Sequence, residues 1–313
     1  MAILTPPPSF DLNYYKATHP ELQIFGDNIA AEHCRRFAVE QGHSTCFYDR
    51  SEVLKKTLQE AVDKYSLHVL ELSPWDNPFL TGANVKYFAV TDAETLKKTA
   101  VEESRPFANT PEKIHFVSPT GDLGVVDETF DIVFSSHVIE HTPDLVRHFP
   151  AIRRILNRGG LYILIVPDKR YCFDHFNAET TIADVLDAFV SERKTARLAD
   201  FISTSFTRAH NYGFPHWFGD HGNRCGYRNE PPDDSLVKLL GESSHEDRAT
   251  LLRLIEKYND SLKRGEYVDA HNWRFTPDSF GYIVDMLNKL NFIDMPLYRL
   301  CHTVWATELL IKI

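Results

Sequence analysis

With 313 residues, 43% of them apolar, the chain can bury a sizeable core as one large domain or as a domain carrying an insertion. A formal charge of -10 argues against a broad phosphate-binding surface, because nucleic-acid binding draws on Lys and Arg contacts to phosphates. The cysteines (Cys34, Cys46, Cys172, Cys225 and Cys301) are odd in number and form no CxxC pair, which points to reduced thiols in a cytoplasmic protein rather than a disulfide framework or a cysteine zinc site.

Met1–Ser9, with Pro6-Pro7-Pro8, reads as an extended lead-in without the basic-then-apolar pattern of a secretory signal. No run of about 18 apolar residues follows, so no membrane span is expected. Asn28 to Lys64 suits helices, interrupted at Gly42-His43-Ser44, and Val53, Leu54, Leu58, Ala61 and Val62 make one apolar stripe. Leu67–Leu72 is the first strong strand and runs into the turn-rich Ser73–Pro78. Asn84–Val90 is the second strand, ending toward Thr91 and Asp92, and Ala93–Val101 reads as a helix. Ile114–Val117 is a short third strand before the loop Ser118–Asp127.

Phe130–Ser135 and Leu161–Val166 are apolar runs suited to strands buried on both faces of a parallel sheet. The helix between them is expected to start with Thr142 as N-cap and Pro143 at the first helical position. It places Leu145, Phe149, Ile152 and Leu156 on one face and ends at Gly159-Gly160. A right-handed unit of this kind sets its strand ends on one rim, where open α/β sheets bind ligands.

Tyr171–Ala270 lacks strand-like runs; helical stretches at Ile182–Ile202 and Leu236–Leu262 enclose an aromatic, His-rich and Gly-rich loop. The sheet pattern resumes with a helix from Thr276-Pro277-Asp278 through Leu290 and closing strands near Met295–His302 and Trp305–Ile313. The expected division is a helical cap over 1–66, an α/β domain of 67–170 and 271–313, and a mainly helical insertion or lid at 171–270, between the fifth and sixth strands.

Two polar clusters fall on the rim: Ser135-Ser136-His137 through His141, and Pro167-Asp168-Lys169-Arg170. His137-Val138-Ile139-Glu140-His141 has the H-x-x-E-H zinc-peptidase spacing, yet a helix starting at Thr142-Pro143 leaves most of it before the cap, so no metal is assigned to it. His210, His216, His221 and Cys225 cluster in the insertion at spacings that fit no standard zinc site and favour a polar, aromatic substrate loop. His271 is either a general base oriented by Asp269 or a satisfied histidine at a hinge.

The segments VLELSPWDNPFL, FDIVFSSHVIEHTPDL, NRGGLYILIVPDKRYCFD and FTPDSF resemble class I S-adenosylmethionine-dependent methyltransferases, and more narrowly bacterial ones found with surface-polysaccharide biosynthesis. The resemblance covers roughly 67–174 and 269–313. It implies a Rossmann-like α/β sheet using S-adenosyl-L-methionine, with Glu71, Ser73, Pro74, Asp92, Asp122 and Ser135 bordering the cofactor. His137, Asp168, Arg170 and His271 would then face the acceptor, a hydroxyl of a saccharide or sugar-linked small molecule. Ser73 stands where the family has a glycine, and Ala89 where it has the ribose acid, with Asp92 a few residues on. A second reading is therefore a fold without cofactor use that serves as a binding or partner subunit; a third is a metal-dependent enzyme using the histidines of the insertion.

Overall fold

The computed structural model describes residues 52–102, 108–209, 216, 221, 243–297, 299–302 and 308–312. Most of the expected N-terminal cap, together with His210 and Cys225, lies outside these residues. The strands are β1 (Val69–Leu72), β2 (Val85–Ala89), β3 (Phe116–Val117), β4 (Phe130–Ser136), β5 (Leu156–Pro167), β6 (Arg299–His302) and β7 (Glu308–Lys312). The described α-helices are α1 (Glu52–Tyr65), α2 (Ala93–Glu102), α3 (Leu145–Ile155), α4 (Ile182–Val190), α5 (Leu198–Ser205), α6 (Ser243–Arg264) and α7 (Pro277–Lys289).

The strands form one sheet in the order β3-β2-β1-β4-β5-β7-β6. β1 to β5 run parallel, while β7 enters antiparallel to β5 and β6 pairs antiparallel with β7. Successive side chains of a strand alternate between faces, and the alternation is visible in the core. Leu70, Val133, Tyr162, Leu164 and Val166 pack with Phe149 of α3, Val185 of α4 and Ile283 of α7. Val69, Ile132, Phe134, Ile163 and Ile165 pack with Val62 of α1 on the other face, with Leu96 of α2 alongside. The near-continuous apolar runs of β4 and β5 thus follow from burial on both faces.

Local chemistry explains where these elements start and stop, and corrects three expectations. The N-cap of α3 is Asp144, which accepts a hydrogen bond from Arg147 N at 3.0 Å; Thr142 instead closes a short 3-10 turn over Ile139–His141. Gly159-Gly160 do not end α3, which stops at Ile155, but lie inside β5 where its register against β4 shifts. A Cβ at Gly160 would meet the carbonyl oxygens of Asn157, Phe130 and Asp131 at 3.0–3.1 Å, so the strand can bulge there only with glycine. The helical stretch 182–202 is two helices, broken at Ser191, which caps α4, and restarted at Leu198. α7 matches its expected start, with a capping box between Thr276 and Ser279. Among the described residues no helix is long and apolar enough to cross a membrane.

Candidate functional site

The carboxyl ends of β1 and β4 turn sharply at non-glycine residues held in the left-handed region. After β1 these are Ser73 (φ 50°) and Trp75 (φ 55°), and after β4 His137 (φ 56°). Left-handed backbone costs an ordinary residue about 1–2 kcal/mol, so the surrounding structure must impose it. It does so through backbone ties, Ser73 N donating to Phe88 O at 2.7 Å and His137 N to Ile165 O at 2.9 Å. The Ser73 loop therefore makes with serine a turn of the kind that glycine favours.

Glu71, at the end of β1, is buried, and its two carboxylate oxygens accept from Phe79 N at 2.7 Å and Leu80 N at 2.9 Å. Burial pushes its pKa up to about 7 against the opposing pull of those two N–H groups and of Lys55. Its carboxylate clamps the 73–80 loop from below. Ser135, also buried, shares a hydrogen bond with Tyr162 OH, which in turn meets His148 Nε2 at 3.0 Å, so its hydroxyl faces the α3 side of the sheet. Pro74 is buried within the loop. Asp92 and Asp122 stay exposed on the rim, following β2 and β3, whose ends pair at Ala89 and Val117. Asp92 Oδ1 caps Thr95 N and Asp122 Oδ1 caps Gly124 N, each at 2.8 Å. Of the six expected cofactor residues, Asp92 and Asp122 offer exposed carboxylates at strand ends, whereas Glu71 and Ser135 are buried and bonded within the protein.

Asp168 and Arg170 form a pair of their own. Asp168 is fully buried, caps the turn Lys169–Tyr171, and accepts from Arg170 Nε at 3.0 Å and Nη2 at 2.6 Å; the pairing raises the Arg170 pKa against the effect of burial. The structure gathers a different set around Glu140. The segment 271–275 returns from the far side of 171–270 and is pinned there. Asn272 N and Trp273 N donate to Glu140 O at 2.7 and 3.2 Å, Asn272 Nδ2 to His141 O at 2.8 Å, and Trp273 Nε1 to Thr142 O at 2.5 Å. His271 is thereby set against His141, their rings edge to face at 4.7 Å, with Phe173 on the other side of His271.

His271 Nδ1 lies 2.5 Å from Asp174 Oδ2, not on Asp269, which instead pairs with His141 Nδ1 at 2.9 Å. The expected orienting acid is thus corrected: Asp174, brought from the other end of the 171–270 segment, reaches the buried His271, while Asp269 is largely exposed beside the half-buried His141. Burial opposes the charge on Asp174, yet His271 and Arg274 beside it hold its carboxyl below the usual range. Burial likewise works against a charged His141, but Asp269 and Glu140 hold its pKa above the ordinary value. Glu140 is wholly buried and neither carboxylate oxygen has a hydrogen-bond donor among the described residues. Its Oε1 lies 3.7 Å from His137 Nδ1, 3.9 Å from His141 Nε2 and 4.0 Å from His271 Nε2.

His137 and His271 are thus brought to one place, together with Glu140, His141 and Asp174. The pentad held three of these, His137, Glu140 and His141, but no local signal links them to residues beyond 171–270. A cavity of about 190 Å³ opens at His141, lined also by Thr120, Pro143, Lys194, Glu266 and Tyr267. A second histidine cluster, His175, His216 and His221, stacks nearby in sequence, with His216 Nδ1 and His221 Nδ1 at 2.9 Å.

A family profile described as "Methyltransferase domain" matches residues 79–164. No curated protein matches the chain. Among solved structures, the glycopeptide N-methyltransferase MtfA aligns at 17% identity over 36% of this chain and 54% of that one, with a TM-score of 0.25. The CcbJ methyltransferase from Streptomyces caelestis aligns at 15% identity over 42% of this chain and 52% of that one, TM-score 0.28. An S-adenosylmethionine-dependent methyltransferase from Clostridium acetobutylicum aligns at 12% identity over 40% and 54%, TM-score 0.26. The chain spans about half the length of these structures. Its sheet is a Rossmann-like parallel array with the last strand reversed beside β5, and residues 79–164 are the part of the chain similar to a methyltransferase domain.

Proposed function

We propose that this chain is an S-adenosyl-L-methionine-dependent methyltransferase that methylates a hydroxyl of a saccharide or sugar-linked small molecule. The observation that carries the reading is the glycine-type turn forced on Ser73 and Trp75 at the carboxyl edge, on a sheet of the methyltransferase order. Strain of this kind is held where a ligand needs close backbone approach. When bound, the donor supplies an electrophilic methyl on a sulfonium. On this reading Asp92 accepts from the ribose hydroxyls, while Asp122 and the Ser73-Pro74 turn border the donor. His137 lies at the acceptor side of β4.

Methyl transfer to an alcohol needs the acceptor oxygen held in line and its proton removed. The histidines around Glu140 are the proton-accepting groups at this edge. His271, with Asp174 on Nδ1, presents Nε2 as an acceptor nitrogen. The cavity at His141 is smaller than the roughly 300–1,000 Å³ of drug-sized ligand pockets, so it takes part of the acceptor rather than a long chain. Tyr267, Lys194 and Glu266 on its wall suit a hydroxylated ring. Surface-polysaccharide biosynthesis is the setting such an acceptor suggests.

Titration calorimetry with S-adenosyl-L-methionine tests this. Micromolar binding is expected, and Asp92→Asn, which keeps a capping side chain but removes the charge, should weaken it about tenfold. No heat at millimolar donor would leave the second reading, a fold without cofactor use acting as a binding or partner subunit. The engaged carboxylate of Glu71, the Tyr162-bound Ser135 and the apolar Ala89 favour that alternative.

A further inference from the structure

We propose that Glu140, His141 and His271 form a binding site for a divalent transition-metal ion of the zinc class. Their ligand atoms lie within 4.8 Å of one another, two imidazole nitrogens and a carboxylate oxygen, the donor set of three-ligand zinc sites that keep a further position open. The His271 ring is already oriented as a metal-bound histidine is. His271 Nδ1 is bonded to Asp174, so its proton belongs on Nδ1 and its lone pair on Nε2; His141 Nδ1 lies 2.9 Å from Asp269 Oδ1, an ion-pair distance without hydrogen-bond geometry. The Nε2 atoms of His271 and His141 lie 4.0 and 3.9 Å from Glu140 Oε1.

Glu140 gives the second, independent sign. A carboxylate removed from water must be hydrogen-bonded, ion-paired or metal-bound. This one is wholly buried, and both oxygens lack a donor among the described residues. Its nearest neighbours are the rings of His137, His141 and His271 at 3.7, 3.9 and 4.0 Å, ion-pair distances from which none donates a hydrogen bond. Ligand atoms about 2.1 Å from a tetrahedral ion lie roughly 3.4 Å apart, so a cation needs each histidine to close on Glu140 by about half an ångström, and the two histidines to close on each other from within 4.8 Å. Glu140 and His271 come from segments already joined through Asn272 N and Trp273 N on Glu140 O, which fixes the site before any ion arrives. His141 also borders the cavity, and that opening supplies the remaining position.

The inference stands apart from methyl transfer, because an ion can sit there whatever the chain transfers. Where both hold, the imidazoles act as ligands, and the ion rather than a free histidine promotes loss of the acceptor's proton.

The experiment is equilibrium dialysis of the chelator-stripped full chain against Zn²⁺, with Co²⁺ as a spectroscopic probe and no methyl donor present. One ion per chain is expected, with visible Co²⁺ absorbance of a low-coordinate N/O site and a rise in unfolding temperature on adding Zn²⁺. Glu140→Gln, which keeps the shape, and His271→Ala should each weaken binding about 100-fold or more. Asp174→Asn leaves all three ligands but frees the His271 ring, and should weaken it about 10- to 100-fold. The double variant His216→Ala, His221→Ala should bind as the unaltered chain does. Circular dichroism establishes that each variant is folded; if His271→Ala is not, Glu140→Gln decides alone. Absence of a stoichiometric ion, binding unchanged by Glu140→Gln, or binding lost only with His216 and His221 would each overturn the proposal. Because no donor is used, a failure here is separate from a failure of the calorimetry above.

Discussion

Glu71 shows how a single buried side chain can fix a whole loop at the carboxyl edge of the sheet. Two backbone N–H groups converge on a buried carboxylate, so its removal leaves donors unpaired rather than merely deleting a contact. In Glu71→Gln the amide nitrogen faces one of the N–H groups, and the loss expected at pH 5 is about 1–3 kcal/mol by urea unfolding. The folded-state pKa is raised from 4.5 to about 7. Burial favours the protonated form, and that contribution to stability is present in full below pH 4.5 and is lost as pH rises through about 7, with the two N–H groups opposing the loss. The difference between the unaltered chain and Glu71→Gln should narrow over that window; a difference that widens would show that the N–H pair outweighs burial. His148 works the opposite way, since burial lowers its pKa to about 4. The unfolded chain then takes up a proton first, and stability falls as pH drops from 6.5 toward 4. In a His148→Gln variant that fall should be absent from the pH dependence of the unfolding midpoint.

At the scale of elements, the strand–helix–strand centre was legible because its signals are local. Phe130–Ser136 and the second half of β5 are apolar runs, and Leu145, Phe149 and Ile152 recur at helical spacing. The start of α3 was not legible, because Thr142-Pro143 and Asp144 are both acceptable openings by propensity. The choice is made by Trp273, whose Nε1 takes the Thr142 carbonyl while Thr142 N closes the preceding turn on Ile139 O. Asp144→Ala should therefore cost about 1–2 kcal/mol, through the lost cap and the lost pairing with Arg147, whereas Thr142→Ala should change stability by less than about 0.5 kcal/mol. Equal costs for the two would return the cap to Thr142. The Gly159-Gly160 pair misled for a related reason: glycine ends helices and permits bulges alike, and only the neighbouring strand decides which.

At the scale of the whole molecule, the site around Glu140 depends on a closure that no short stretch of sequence encodes. His271 and Asp174 are 97 positions apart, and Asp269 was the nearer partner by sequence alone. What brings them together is the segment 271–275, which lies against the Glu140–Thr142 loop on one side and against Asp168 and Lys169 on the other, with Lys169 N donating to Phe275 O at 2.9 Å. Trp273, almost wholly buried in the same core as α3 and α7, is the anchor of that segment. Trp273→Phe keeps most of the apolar volume but removes the N–H that holds Thr142 O, leaving a carbonyl without that partner. A global loss of about 1–3 kcal/mol follows from an unmade hydrogen bond in the interior. The more telling readout is local. If the indole tie holds the two segments in register, hydrogen exchange at Asn272 N, which donates to Glu140 O, should quicken in Trp273→Phe by more than the global loss accounts for. The amides of β4, tied into the sheet independently, should change only by the global amount. Uniform acceleration across both would mean that packing of the ring, not its N–H, keeps His271 beside Glu140.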